Sequence, residues 1–353
     1  MSAVFRTGCL ALTILWLTAC SKEPLYQEQG YVFGTLVEVS VYGETEANAT
    51  LAVAAVMQEF QRLHTLLHAW KPSALSDLNA AFAQGKSATV SAELQLILQN
   101  ATQLSIQSDG LFNPAIGGLV RRWGFHADEF KPALPDEKQL IKLLSQHPQM
   151  SDVAIKLVTN NKNAHYYVSS RNRSVQLDLG GYAKGYALDR AAALLRKMKV
   201  QNALINIGGN VMALGRHGTR DWRVGIQHPR KPGPLATLAL HDGEAIGTSG
   251  DYQRYFELGG KRFCHLIDPR NGQPAQGVQA VTVLTHGEQA GVLSDATSKP
   301  LFISGANNWM QAATKMQLDN ALLIDEKGTV HLTAAMQKRL EFTDQSMGRV
   351  VEK

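Results

Sequence analysis

A chain of 353 residues with 44% apolar and 18% charged residues has the composition of a globular protein, large enough to bury a substantial core as one big domain or two. The formal net charge of +5 is spread along the chain and no basic run carries interleaved aromatics, so nucleic acid is set aside as a partner and anionic ligands are weakly favoured. Of the three cysteines, Cys9 and Cys20 fall in an N-terminal leader, which leaves Cys264 alone, excludes an intramolecular disulfide or thiolate metal cluster, and reads Cys264 as a small buried hydrophobe.

In the leader, Arg6 supplies a positive start and residues 9–19 an apolar stretch too short to span a bilayer. It ends in Leu17-Thr18-Ala19-Cys20, which resembles a bacterial lipobox. On that resemblance residues 1–19 are a signal peptide and Cys20 is the lipidated mature N-terminus. The body is then anchored at the periplasmic face of a bacterial membrane, the inner ahead of the outer. The alternative, a secretory signal with a chance cysteine, is disfavoured because Ser21-Lys22-Glu23-Pro24 turns polar at once.

Residues 20–30 read as a polar tether. Alternation predicts a strand over 31–42, and the spacing of Leu51, Ala54, Ala55, Phe60, Leu63 and Leu67 predicts a helix over 46–67. A loop at Ala69-Trp70 leads to a short helix through Ser76-Asp77-Leu78-Asn79. A second amphipathic helix over 91–108 ends in the turn Asp109-Gly110-Leu111-Phe112-Asn113-Pro114. Residues 126–135 read as a surface excursion, followed by strands over 153–158, 165–169 and 174–177.

Next, Leu177-Asp178-Leu179-Gly180-Gly181-Tyr182-Ala183-Lys184 carries an apolar strand end into a glycine pair and a lysine that opens a helix over 182–199. Glycines let a phosphate approach the backbone, and helix N-terminal amides favour anions; alone, the segment is a weak phosphate-loop signal. A strand over 203–207, several short strands between 222 and 285, a helical stretch, and strands over 321–324 and 329–332 complete the chain. Helices and antiparallel-looking strands segregate, which predicts α+β rather than a doubly wound sheet.

Four segments, the one around Lys184, Leu204-Ile205-Asn206-Ile207-Gly208-Gly209-Asn210, Gly243 to Tyr252, and His265-Leu266-Ile267-Asp268-Pro269-Arg270-Asn271-Gly272-Gln273-Pro274, occur in one order. With Ser76 to Asn79, Asp109 to Pro114 and Trp123-Gly124-Phe125 upstream, they resemble the blocks of the FAD:protein FMN transferase (ApbE) family over roughly 31–343. The resemblance implies an ApbE/T-fold-like α+β fold of antiparallel sheets and packed helices. It implies a single domain of two lobes with a ligand cleft between them, and a C-terminal tail over 344–353. It implies FAD and Mg²⁺, and a reaction in which a Thr or Ser hydroxyl of an acceptor protein attacks the FAD pyrophosphate. FMN becomes phosphodiester-linked and AMP leaves. Typical acceptors are flavin subunits of membrane redox complexes. The alternatives are a FAD pyrophosphatase and a non-catalytic FAD-binding lipoprotein serving a respiratory complex.

Phosphoryl transfer is positioning and charge neutralisation. Lys184 supplies a point charge, or is a surface lysine paired to Asp189. Amides at Gly180, Gly181 and the Thr248-Ser249-Gly250 turn can donate to phosphate oxygens. His265 is the candidate base for the acceptor hydroxyl, or a phosphate donor. Asp268 joins it as a catalytic candidate, or forms a structural turn pair with Arg270. Asn79 can offer amide donor and acceptor to a ring edge, and Trp70 stands near the position of a stacking tyrosine in relatives. Tyr252 suits a flavin contact or a strand face, and Asp109 joins the cofactor-binding set through its block.

The family's metal segment reads Ala-Asp-Ala-Leu-Ala-Thr-Ala-Leu-Phe, and its aspartate and threonine bind Mg²⁺ with help from backbone carbonyls. The aligned stretch is Ser294-Asp295-Ala296-Thr297-Ser298-Lys299-Pro300-Leu301-Phe302. Asp295, Gly181 and Ser298 are the metal candidates, and Lys299 replaces the threonine. A charged ammonium has no lone pair to give a metal. Two readings stand. Lys299 takes over the metal's electrostatic role beside Asp295, with Mg²⁺ dependence weakened or lost. Or Lys299 reaches solvent, and Thr297 or the Ser298 carbonyl completes a shifted site. Pro300, suited to a first turn, predicts a helix starting near Lys299 with its N-terminus aimed at phosphate.

Overall fold

The computed structural model describes residues 25–352 apart from 128, 130, 161 and 162; the leader and Cys20 lie outside the described residues. Its main feature is a nine-stranded sheet whose order follows the chain: Leu25–Val32, Thr35–Tyr42, Asn202–Ile207, Asn210–Leu214, Ala245–Gly250, Val278–Thr285, Asn320–Asp325, Val330–Thr333 and Arg349–Glu352. Neighbours pair antiparallel except the last two, which are parallel.

Successive side chains of a strand point to opposite faces. Met212 and Leu214 therefore enter one core and Val211 and Ala213 another; Val281 and Val283 part from Ala280 and Leu284 in the same way. Every residue of Asn210–Leu214 and Val278–Thr285 is buried, so both faces of the sheet are covered. On one face lie the helices Glu46–Leu66, Ala183–Lys197 and Ala290–Ser304. On the other lies a three-stranded sheet of Trp222–Gln227, Pro234–Leu240 and Glu341–Phe342, with Trp222, Leu235 and Leu238 in the shared core. The helices Ala74–Ala83 and Ala92–Gln107 extend the helical layer, capped by Ser73 and Ser91. A smaller core of Leu119, Trp123, Phe125, Leu140, Phe256 and Ile267 sits beside it. The separated helices and antiparallel strands are the expected α+β arrangement.

Three expectations change. The 31–42 segment is a hairpin, Leu25–Val32 against Thr35–Tyr42, turning at Phe33 (φ 56°) and Gly34 (φ 70°). Two-residue hairpin turns of this type need positive φ at both central positions, and alternation continues on either side, which conceals the break. The tether thus supplies the sheet's first strand. Residues 174–177 form one bridge, Gln176 to Ile116, instead of a strand. Residues 349–352, expected in a tail, form the ninth strand.

Candidate active site

The segment before Lys184 is held from the side by Asn79. Its Oδ1 accepts from the Leu177 amide at 2.7 Å and its Nδ2 donates to the Leu177 carbonyl at 2.9 Å. Asn79 was expected at a ring edge; here both ends of its amide serve the backbone, so it positions the glycine turn. The Gly180 amide donates to Asp178 Oδ1 at 2.9 Å. Burial pushes the Asp178 carboxyl up, against the Gly180 hydrogen bond and the charges of Arg254, His68 and Lys184. The Ala183 amide then bonds the Leu179 carbonyl at 2.8 Å and the helix begins, with Lys184 in its first turn.

The Ala290–Ser304 helix crosses this one at glycine. A Cβ at Gly185 would lie 2.3 Å from the Gly291 carbonyl oxygen, and one at Gly291 2.4 Å from that of Gly185. Gly247 lets the helix settle equally close to the sheet, since a Cβ there would lie 2.4 Å from the Ser294 carbonyl oxygen. This approach brings Asp295 to the Lys184 helix, where its Oδ2 accepts from the Gly185 amide at 3.0 Å. An anion at a helix N-terminus is favourably placed.

The predicted helix start near Lys299 is corrected. The helix begins at Ala290 and runs through Pro300. Its N-terminus is capped from outside by Asp189, whose two oxygens accept from the Gly291 and Val292 amides at 2.8 and 2.9 Å. Burial raises this carboxyl to about 6. Asp189 is therefore not the partner of Lys184, and these cap amides are already taken. Proline cannot donate to the carbonyl four residues back. One residue earlier, the Asp295 carbonyl accepts from Lys299 Nζ at 2.5 Å and Ser298 Oγ at 2.8 Å.

Lys184 and Lys299 converge on Asp295. Lys184 Nζ lies 3.6 Å from Asp295 Oδ1 and donates to the Gly180 carbonyl at 3.3 Å. Lys299 ion-pairs with the same Oδ1. Asp295 is fully buried. Burial alone would raise its carboxyl, but the charges of Lys184 and Lys299 hold it well below the usual carboxylate range. Burial pulls Lys299 down to about 8, with Asp295 opposing and Lys184 adding to the fall. Lys299 is turned inward, so the reading in which it reaches solvent is set aside.

This donor set does not fit a divalent cation held in the way the resemblance implies. Asp295 Oδ1 faces two ammonium groups and Oδ2 an amide. The Thr297 hydroxyl donates to the Leu293 carbonyl at 2.6 Å, and that of Ser298 is 2.8 Å from Ser249 Oγ. Above Gly181 lies Lys299: a Cβ on that glycine would be 3.2 Å from Lys299 Cε. Among the described residues, no three His, Cys, Asp or Glu side chains are grouped to hold a metal ion.

His265 Nδ1 is 3.2 Å from the Arg254 carbonyl oxygen. A carbonyl only accepts, so Nδ1 carries the proton and the lone pair is on Nε2. Burial, then the charges of Arg254, Lys184 and Lys299, push the imidazole down to about 3, against the Arg254 hydrogen bond. The ring is neutral at neutral pH.

Other expected site residues lie elsewhere or serve the fold. Thr248, Ser249 and Gly250 belong to a strand paired with Val278–Thr285, not to a turn. Thr248 faces away from the Asp295 helix, with its Oγ1 2.9 Å from Thr282 Oγ1. Pairing of this strand with Asn210–Leu214 stops at Ile246. The Tyr252 ring covers Gly250 and packs on the Trp222 core, and burial raises its hydroxyl to about 12. Asp268 is buried and grips Arg270 at 2.9 and 2.7 Å, while its carbonyl accepts from Gly272. The turn pair of Asp268 with Arg270 is present. Asp109 is exposed, has φ 52° and pairs with Lys315; it lines a hollow of about 360 Å³ with Arg270, Pro300 and Asn308, not with Lys184 or His265. Trp70 is half-buried, its ring 5.5 Å from His126.

Two residues had no signal in the sequence. Arg254 donates to the Phe125 and Ala127 carbonyls at 2.9 and 3.3 Å, and its charge acts on both Asp178 and His265. Asp189 caps a helix about one hundred positions later, a separation at which no spacing rule operates.

The model of the ApbE family matches residues 33–323. A Rhodobacter capsulatus protein named FAD:protein FMN transferase is 43% identical over 346 residues, 96% of this chain, and the chain spans 64% of that relative's length. A Klebsiella pneumoniae (strain 342) protein of the same name is 30% identical over 330 residues, covering 92% of this chain and 96% of the relative. Among solved structures, the ApbE protein of Thermotoga maritima aligns with a TM-score of 0.78 at 25% identity, covering 90% of this chain and 99% of that one. The apo form of Pseudomonas stutzeri flavinyl transferase ApbE aligns at 0.75 with 24% identity, over 90% and 97%, a likeness of fold.

Proposed function

We infer the reaction from one premise: this chain belongs to the ApbE family. It transfers FMN from FAD to a Thr or Ser hydroxyl of an acceptor flavoprotein and releases AMP. The observation that carries this reading is the Lys184–Asp295–Lys299 cluster beside Gly180-Gly181, with a neutral His265 that feels both lysine charges.

In this scheme the FAD pyrophosphate lies against Lys184, with the glycine turn allowing close backbone approach. The acceptor oxygen attacks the phosphorus of the FMN half. The bond from that phosphorus to the bridging oxygen breaks, and AMP departs with the bridging oxygen. His265 Nε2 takes the hydroxyl proton. Burial is the first cause of the depressed imidazole; the pyrophosphate charge offsets the second, the cations of Arg254, Lys184 and Lys299, and so moves the base upward.

The acceptor as a flavin subunit of a membrane redox complex, and lipid anchoring through Cys20 at a periplasmic membrane face, belong to the same reading. Their support is the family resemblance and the leader pattern. Replacing Cys20 by Ser is expected to move the protein into the soluble periplasmic fraction.

The test is incubation with FAD and a threonine-bearing acceptor flavoprotein, followed by intact-mass measurement of the denatured acceptor. A gain of one FMN less water, with AMP released in equal amount, is expected, and His265→Asn should slow it by about 10²–10⁴-fold. AMP with free FMN and an unmodified acceptor would replace this reading by the pyrophosphatase.

A further inference from the structure

Asp295 is arranged to hold an ammonium where its relatives are expected to hold a metal. Its carboxylate is fully buried, and its oxygens are committed to Lys184, Lys299 and the Gly185 amide. Lys299 is fixed at two points of the same residue, the carboxylate and the backbone carbonyl. An ammonium has three donors; these contacts use two and leave one for a ligand oxygen. The lysine stem passes beside Gly181, where a Cβ would stand 3.2 Å from Lys299 Cε and crowd it. The Thr297 hydroxyl, a candidate for a displaced metal site, is turned to the Leu293 carbonyl.

We propose that Lys299, anchored on Asp295, is a built-in cation that replaces a divalent metal, so that this chain binds the FAD pyrophosphate without Mg²⁺. The identity of the ligand rests on the flavin-transfer reading. The substitution of metal by ammonium rests on the cluster itself. Two ammonium groups and one carboxylate leave one net positive charge, one less than Lys184, Asp295 and a divalent ion would provide. The lysine, unlike the ion, cannot be removed by a chelator.

The test uses three probes on the full chain: Mg²⁺ alone by calorimetry, FAD by flavin fluorescence, and ADP as a diphosphate ligand that lacks the flavin. Wild type is expected to take up no Mg²⁺ in the absence of nucleotide, and to bind FAD and ADP equally in EDTA and in excess Mg²⁺. Lys299→Thr should acquire a Mg²⁺ site. In EDTA it should lose about tenfold or more in FAD affinity, the worth of one hydrogen bond to a charged group, and Mg²⁺ should restore it. Lys299→Met, with no oxygen ligand for Mg²⁺, should show the same loss without restoration, and it keeps the test open if the threonine variant fails to fold. Wild-type FAD binding that rises tenfold with Mg²⁺, or a Lys299→Thr variant that folds but takes up no metal, would overturn the proposal. If EDTA leaves FAD binding intact but no acceptor is ever flavinylated, the transfer reading fails and the built-in cation stands.

Discussion

At the residue scale, His265 links the site to stability. Its folded value is depressed to about 3, by burial first and by neighbouring cations second. The unfolded chain takes up this proton near pH 6.5, while the folded chain refuses it until far lower. Stability from this group is therefore complete above about pH 6.5 and is lost as pH falls toward 3, with a slope of up to ~1.4 kcal/mol per pH unit for one proton. Urea unfolding of His265→Gln between pH 7 and 4 should show a shallower decline than wild type; parallel profiles would mean that the imidazole titrates freely. The residues of this site were partly readable beforehand. Lys184, His265, Asp295 and Lys299 stand inside ordered blocks, so chain order gave them away. Asn79 and Asp268 stand in the same blocks, yet their polar groups are used on Leu177 and Arg270. A side chain that braces the backbone and one that touches a ligand have the same letter, and only the partner distinguishes them.

At the element scale, the site depends on how closely two helices cross. Gly185 reads in sequence as one residue of the helix that Lys184 opens, but its constraint is the Gly291 carbonyl 2.3 Å from where a Cβ would stand. Alanine is a better helix former than glycine by about 1 kcal/mol, so propensity alone predicts that Gly185→Ala stabilises. The clash is with backbone, which cannot turn aside, and overpacking costs about 1–3 kcal/mol. The variant should melt below wild type and lose FAD affinity as the Gly185 amide draws back from Asp295; a raised melting temperature would show that the helices separate without cost. The misplaced helix start has a related cause. Proline's preference for a first turn is local, whereas the real N-terminus is fixed by a carboxylate on the neighbouring helix. Sequence periodicity located the helix that Lys184 opens, but not the start of the one that crosses it, nor which residues of one complete the other.

At the scale of the whole molecule, nine strands lie in chain order, and the cores on the two faces of their sheet form by period-2 sorting of the same strands. Several interior strands were visible as short apolar runs because both of their faces are buried; Asn210–Leu214, equally buried, was hidden behind the glycine pair that precedes it. The outermost strand was not: Arg349–Glu352 has three exposed residues of four and carries no burial pattern. What holds it is backbone pairing with Val330–Thr333 and the His331 ring, 2.9 Å from Glu352 and 3.2 Å from Asp325. Ending the chain after Gly348 should therefore remove a few backbone hydrogen bonds and one part-buried side-chain contact, His331 to Glu352. At ~1 kcal/mol for each bond, this contact included, the loss is about 2–4 kcal/mol. The truncated protein should melt several degrees lower and, with Val330–Thr333 now an open edge, aggregate more readily. Flavin binding per folded molecule should be unchanged, because Lys184, Asp295 and Lys299 lie in the helical layer over the strands at 245–250 and 278–285, away from this edge. An unaltered melting temperature would mean that the last strand does not pair in solution. A loss of flavin binding equal to the loss of stability would instead mean that the sheet transmits strain from its edge to the site.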